Sequence, residues 1–407
     1  MRRAMLASGA ILLITLLAWA QPPESGKTWL RKLEDVIFNA VKGRARANSD
    51  PLGYGYDLFF YANWPASPTD RGRPDPRKSF GGSGPVVWET WKNTAEVYLT
   101  CGGTPPGWRA AEPVPEAVQK TPVQPSDSGA WWQHMTSNVQ ANGLAQADQS
   151  GQDLLYEIRM NPETFGYVRR HGLYNVEGQV AFAKQHGDLD FAFDALEAKS
   201  AWRWLDGKDT RPGCRAEDYF TANAYYPKLD NNGKITGYTT GLMGLTGLHI
   251  LTKAVPQWVW ITFEQKNNEA CVGVQRQTPL DAAVLEENRK MQPILDQAGK
   301  WKNYMMIGVQ TSATSPSGPV TLANTQIESA FQLRSSCITC HQYASVATSM
   351  PTKPEDNLRK LPVDLSANPP YPIGALPSGF LGDAYRSMDF VWSLRRANRR
   401  SPTCTAQ

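Results

Sequence analysis

The clearest chemistry in the chain is carried by five consecutive residues, Cys337-Ile338-Thr339-Cys340-His341. Two thiols three positions apart on a turn can reach the two vinyl groups of one porphyrin. The adjacent imidazole then lies beneath the iron as its proximal ligand, so C-x-x-C-H reads as the attachment signature of one covalent haem c. Two competing readings are weaker. A zinc site lacks a second ligand pair nearby, and a thioredoxin-like redox pair would not require the histidine.

At these residues the chain resembles the c-type cytochromes, and a helix, the motif, a long loop and a closing helix look like their general layout. The resemblance covers only the C-terminal portion. Further back, Leu245-Thr246-Gly247-Leu248-His249-Ile250 and Pro256-Gln257-Trp258-Val259-Trp260-Ile261-Thr262-Phe263-Glu264 look like segments shared by large exported single-haem proteins of bacteria. Those are usually described only as cytochrome c family proteins, so this second resemblance implies haem and export but no settled activity. In the small cytochromes a Met well downstream of the His completes the iron coordination. Met388 lies at a matching distance and is the distal ligand the resemblance implies, whereas Met350 is so close to His341 that the chain would have to double back. His249 is the alternative distal ligand, because it interrupts an apolar strand, although a lone His there is more often a hydrogen-bonded core residue. His134, His171 and His186 rank below it.

Other charged residues also interrupt apolar runs: Glu157 with Arg159, Glu197 with Lys199, and Glu264. Period-two spacing puts the members of each pair on one face, and Trp258, Trp260, Thr262 and Glu264 on another. Closed over a haem edge, that face would form a substrate pocket with acid and base groups. The favoured expectation is plainer, a solvated outer sheet face with cross-strand ion pairs. Phosphate-loop and nucleophile-elbow patterns fail on inspection: Gly26-Lys27-Thr28 lacks the first Gly, and Gly81-Gly82-Ser83-Gly84 is followed by Pro85.

The elements that must position these groups follow from periodicity. An amphipathic helix is predicted over about 27–42, from Trp29, Leu30, Leu33, Val36, Ile37, Ala40 and Val41, and a second over 86–99. Strand-like runs follow at 155–160, 191–198, 238–251, 258–265 and 304–309, and Asp230-Asn231-Asn232-Gly233-Lys234 has hairpin-turn chemistry rather than that of a calcium loop. Thr325 with Glu328 makes a capping-box pattern, with Ile327, Ala330 and Phe331 at helical spacing leading into Cys337. Residues 350–382 read as a proline-rich wrapping loop, and a closing helix is predicted from Asp389, with Phe390, Val391 and Leu394 on its apolar side.

The expected fold is therefore α+β: a mostly β body with covering helices over 21–310, followed by an α-helical, cytochrome c-like haem portion over 311–407. Residues 1–20 read as a signal peptide, with Arg2 and Arg3, an apolar run from Ala4 to Leu17 and a small-x-small end at Ala18-Trp19-Ala20. The mature chain is expected in the periplasm without a transmembrane anchor, because that run is too short to span a bilayer. Of six cysteines, Cys101, Cys214, Cys271 and Cys404 are left to form disulfides in that compartment, in any of three pairings. A net charge of +4 with no dense Lys/Arg block gives no footprint for nucleic acid. The leading function is electron transfer with a redox partner protein or a small-molecule donor or acceptor. The alternative is a haem enzyme (peroxidase, oxidase or oxygenase) acting on a small molecule held by the β body.

Overall fold

The computed structural model describes residues 26–139, 145–207, 209–351, 358–360 and 373–401. The segment read as a signal peptide, Cys404 and much of the proline-rich loop lie outside them. The body is a curled antiparallel sheet of eight strands: β1 (Lys92–Asn93), β2 (Trp132–His134), β3 (Leu155–Met160), β4 (Leu196–Trp204), β5 (Thr221–Leu229), β6 (Ile235–Thr252), β7 (Val259–Gln265) and β8 (Tyr304–Gln310). The one parallel pairing joins β2 to β5. The long β6 organises the rest. It pairs β4 on one edge, while β5 and β7 share its other edge in successive halves. Asp230 makes the β5–β6 turn as its carboxylate accepts from the amides of Asn232 and Lys234, both at 2.9 Å.

Each face of the sheet carries its own core. On one face, Leu248, Ile250, Ile261 and Phe263 meet three consecutive helices, α1 (Gly26–Phe38), α2 (Ala40–Ser49) and α3 (Pro51–Ala62). The sequence predicts one helix where α1 and α2 stand, but Asn39 breaks it by accepting the amides of Val41 and Lys42. The other face, with Leu251 and Trp260, packs against helices Pro162–Arg170 and Val176–His186 and against Ile338, Val346, Met388, Val391 and Leu394 from the C-terminal portion. Both faces are therefore covered, which overturns the expectation of a solvated outer face: Glu157, Glu197 and Glu264 are all buried.

Three local expectations are also corrected. Residues 86–99 hold only the turns Trp88–Thr90 and Thr94–Val97, because extended backbone at Trp91 lets Lys92 and Asn93 pair with β3. The strand placed at 191–198 begins at Leu196. Trp258 has φ +61°, so it precedes β7 rather than sharing its alternation. The C-terminal portion keeps the α+β outline only coarsely. It is an irregular layer laid on the sheet, with one α-helical turn, Cys337–His341, between the 3₁₀ segments Ser329–Arg334 and Trp392–Arg396. The closing helix is prevented by left-handed φ at Asp389 (+50°) and Phe390 (+68°). A disulfide joins Cys214 to Cys271, and Cys101 is disulfide-bonded as well. Among the described residues, no helix is long and apolar enough to cross a membrane.

Candidate functional site

The turn Cys337–His341 is anchored from both sides. Ser336 caps it, and the buried Gln310 amide at the end of β8 reaches the Ser336 hydroxyl at 2.9 Å while its oxygen accepts the Ile338 amide. The Trp392 indole donates to the Cys340 carbonyl at 3.1 Å. Neither thiol on this turn is in a disulfide. Burial, with Glu328 and Cys340 adding to it, pushes the Cys337 thiol well up, away from the reactivity of a low-pKa redox pair.

His341 is oriented by backbone. Its Nδ1 lies 2.7 Å from the Phe390 carbonyl oxygen, an atom that only accepts, so Nδ1 carries the proton and Nε2 presents its lone pair. The Trp260 ring, 4.2 Å away between centroids, walls one side. Burial lowers the imidazole pKa to about 4, which keeps it neutral at ordinary pH. A neutral imidazole, with Nδ1–H on a carbonyl and Nε2 open, is the arrangement in which histidine ligates metal. The left-handed backbone at Asp389 and Phe390, which ends any closing helix, is what turns this carbonyl toward the ring.

On the same sheet face, β4, β6 and β7 present Lys199, His249 and Thr262 in one cross-strand row. His249 Nε2 stands 3.5 Å from Glu328 Oε2 but makes no hydrogen bond. Glu328 comes so close because Gly247 leaves room for Asn324, which a Cβ there would approach to 2.9 Å. The Asn324 amide then donates to Glu328 Oε2, and its side chain donates to Thr262 Oγ1, both at 2.8 Å. Burial acts to raise the Glu328 carboxyl, but His249, Lys199 and the Asn324 amide outweigh it and hold the group below its usual range.

Lys199, Cys337 and His341 each keep part of their surface accessible. The two edges of the His341 ring differ. Asp389 is paired with Lys253, just past the Thr252 end of β6, so the Phe390 carbonyl marks that end. Nε2, across the ring from Nδ1, therefore points away from that carbonyl, and the row of Lys199 and His249 lies about 10–13 Å back from that end along the strands.

Met388 belongs to the same segment as Phe390. It is fully buried two residues from Phe390, and its sulfur lies 3.0 Å from Arg359 Nη1. The remaining candidates are structural. Glu264 accepts from the Thr325 amide and hydroxyl and from Arg276. Glu157 and Arg159 pair at 2.7 Å on the opposite face. His134 pairs with Glu112 and stacks on Tyr225, while His171 and His186 flank Phe182. Among the described residues no three His, Cys, Asp or Glu side chains converge as a metal site, so the zinc alternative gains no support. Sequence reasoning did not single out Glu328 or the Phe390 carbonyl as site groups. Glu328 was accounted for as a helix cap, and a backbone oxygen leaves no residue-type signal. No family model, curated protein or solved structure matches the chain.

Proposed function

We propose that this is an exported, periplasmic c-type haem protein. On this reading one haem is joined through thioethers to Cys337 and Cys340, with His341 as proximal ligand, and the protein transfers electrons to or from a redox partner. The observation that carries the reading is the His341 imidazole, neutral, with Nδ1–H on the Phe390 carbonyl, on the same turn as two thiols that are in no disulfide. A bound haem supplies a one-electron ferric/ferrous couple. The chain's own groups do the rest. Phe390 fixes the tautomer and increases the basicity of Nε2, and Trp260 and the packed sheet face exclude water.

On this reading His249, rather than Met388, is the candidate for the distal side, because the Met388 sulfur is engaged by Arg359. The haem-enzyme alternative keeps one specific support: buried Glu328, half-buried His249 beside it, and Lys199 next to His249 in the strand row are groups of the kind that exchange protons with a small ligand. The test is attachment. Wild-type protein run on a denaturing gel should retain haem stain, and Cys337→Ala with Cys340→Ala should abolish it. Wild-type protein without the stain would refute the proposal.

A further inference from the structure

We infer that the edge of the sheet carries a second site, a cavity beside β2 that receives a single neutral sugar ring. The site shares no lining residue with the C-terminal portion, so it stands apart from the haem reading. β2 is the last strand in the sheet order and pairs in parallel with β5. Its alternation sends Gln133 inward to Glu89, at 2.6 Å, and leaves Trp132 and His134 together on the other face. The register sets Tyr225 of β5 beside His134, and the two rings stack with centroids 4.6 Å apart. These side chains, with Trp131 and Glu112, line a cavity of about 190 Å³.

The aromatic groups here have no core to serve. Trp131, Trp132 and Tyr225 belong to none of the apolar clusters among the described residues. Polar atoms around them lack partners as well. The Trp131 Nε1–H is buried without an acceptor, and Tyr225 is buried while its hydroxyl makes no hydrogen bond among the described residues. Glu112 accepts from His134 Nδ1 at 2.8 Å, and the pairing that fixes the ring leaves His134 Nε2 and the second Glu112 oxygen unused. Charge, by contrast, is settled. Arg71 directs its donors to the carbonyls of Thr90, Trp108 and Ala110 and to both Glu96 oxygens, while Arg159 pairs with Glu157 at 2.7 Å. A cation would leave the Trp131 and Tyr225 donors unpaired. An anion would meet the Glu112 carboxylate with no unpaired cation on the wall, and a hydrocarbon ring would satisfy none of the polar atoms. A sugar ring brings hydroxyls that both donate and accept, and a C–H face that packs on indole. A cavity smaller than the roughly 300–1,000 Å³ of drug-sized ligand pockets takes one ring rather than a chain.

The purified protein, as wild type, Trp132→Ala and Tyr225→Phe, is titrated by calorimetry with glucose, galactose, mannose and N-acetylglucosamine. Benzoate and tetramethylammonium serve as the anionic and cationic probes, each ligand being taken to about 50 mM. At least one of the four sugars should bind and neither ion should. At least one variant should weaken that sugar roughly tenfold, the scale of one lost aromatic contact or hydrogen bond. Both variants should unfold as wild type does, since Trp132 lies outside the cores and Tyr225→Phe removes a single hydroxyl. Binding of none of the four sugars, binding of either ion, or a sugar affinity equal in wild type and both variants overturns the proposal.

Discussion

At the scale of single residues, the site turns on which side of His341 each candidate occupies. Nδ1 faces Phe390, and Met388 is tied to that same segment, with its sulfur on Arg359. On the proposed reading His341 Nε2 would hold the iron, while the Met388 sulfur is already engaged by Arg359. Met388→Ala should therefore cost about 2–5 kcal/mol of stability, as a buried Met truncated to Ala does, and leave the visible spectrum of the holoprotein unchanged. His249→Ala should change the spectrum while costing less stability. Denaturant melts and absorption spectra of both variants check this, and loss of the native coordination bands in Met388→Ala would return Met388 to the iron. The sequence spacing that pointed to Met388 measured contour length along the chain. It carried no information on which face of the imidazole the returning segment would pass.

At the scale of elements, four of the eight strands were legible and the helices near the site were not. Alternation in 155–160, 238–251, 258–265 and 304–309 locates four strands of the sheet because each exposes alternate residues to different cores. The capping-box pattern at Thr325 and Glu328 failed for a tertiary reason. Thr325 is taken by Glu264 from β7, Glu328 accepts from Asn324 instead, and Phe331 leaves helical φ/ψ. The charged residues in the strands were read as solvated because the sequence does not show the C-terminal layer that covers them.

Glu197 makes this covering measurable. It is buried at the end of β4 and accepts from the Ser393 hydroxyl at 2.6 Å, and burial pushes its pKa up to about 7 from an ordinary 4.5. The folded protein then holds a proton that the unfolded chain releases between those values. Its contribution to stability is full below about pH 4.5 and is lost as pH rises through about 7. Glu197→Gln imitates the protonated form. Relative to wild type, the variant should gain up to about 3 kcal/mol between pH 4.5 and 8, as read from urea unfolding at the two pH values. A difference that stays constant with pH would show that the C-terminal layer does not desolvate Glu197.

At the scale of the whole molecule, the eight-stranded body is a wall for the C-terminal portion rather than a separate unit beside it. Gln310 and Trp260 hold the motif turn, and Glu197 holds Ser393 next to the last 3₁₀ segment. This explains why so much chain precedes a five-residue motif: the side of the site facing His341 is supplied by β4, β6 and β7 of the body. The measurement that tests the central claim most directly is the intact mass of the protein purified from the exported fraction and denatured before analysis. The account predicts a polypeptide beginning near Gln21 that carries the added mass of one haem and keeps it through acid-acetone extraction. An unmodified polypeptide, or haem released on denaturation, would contradict it.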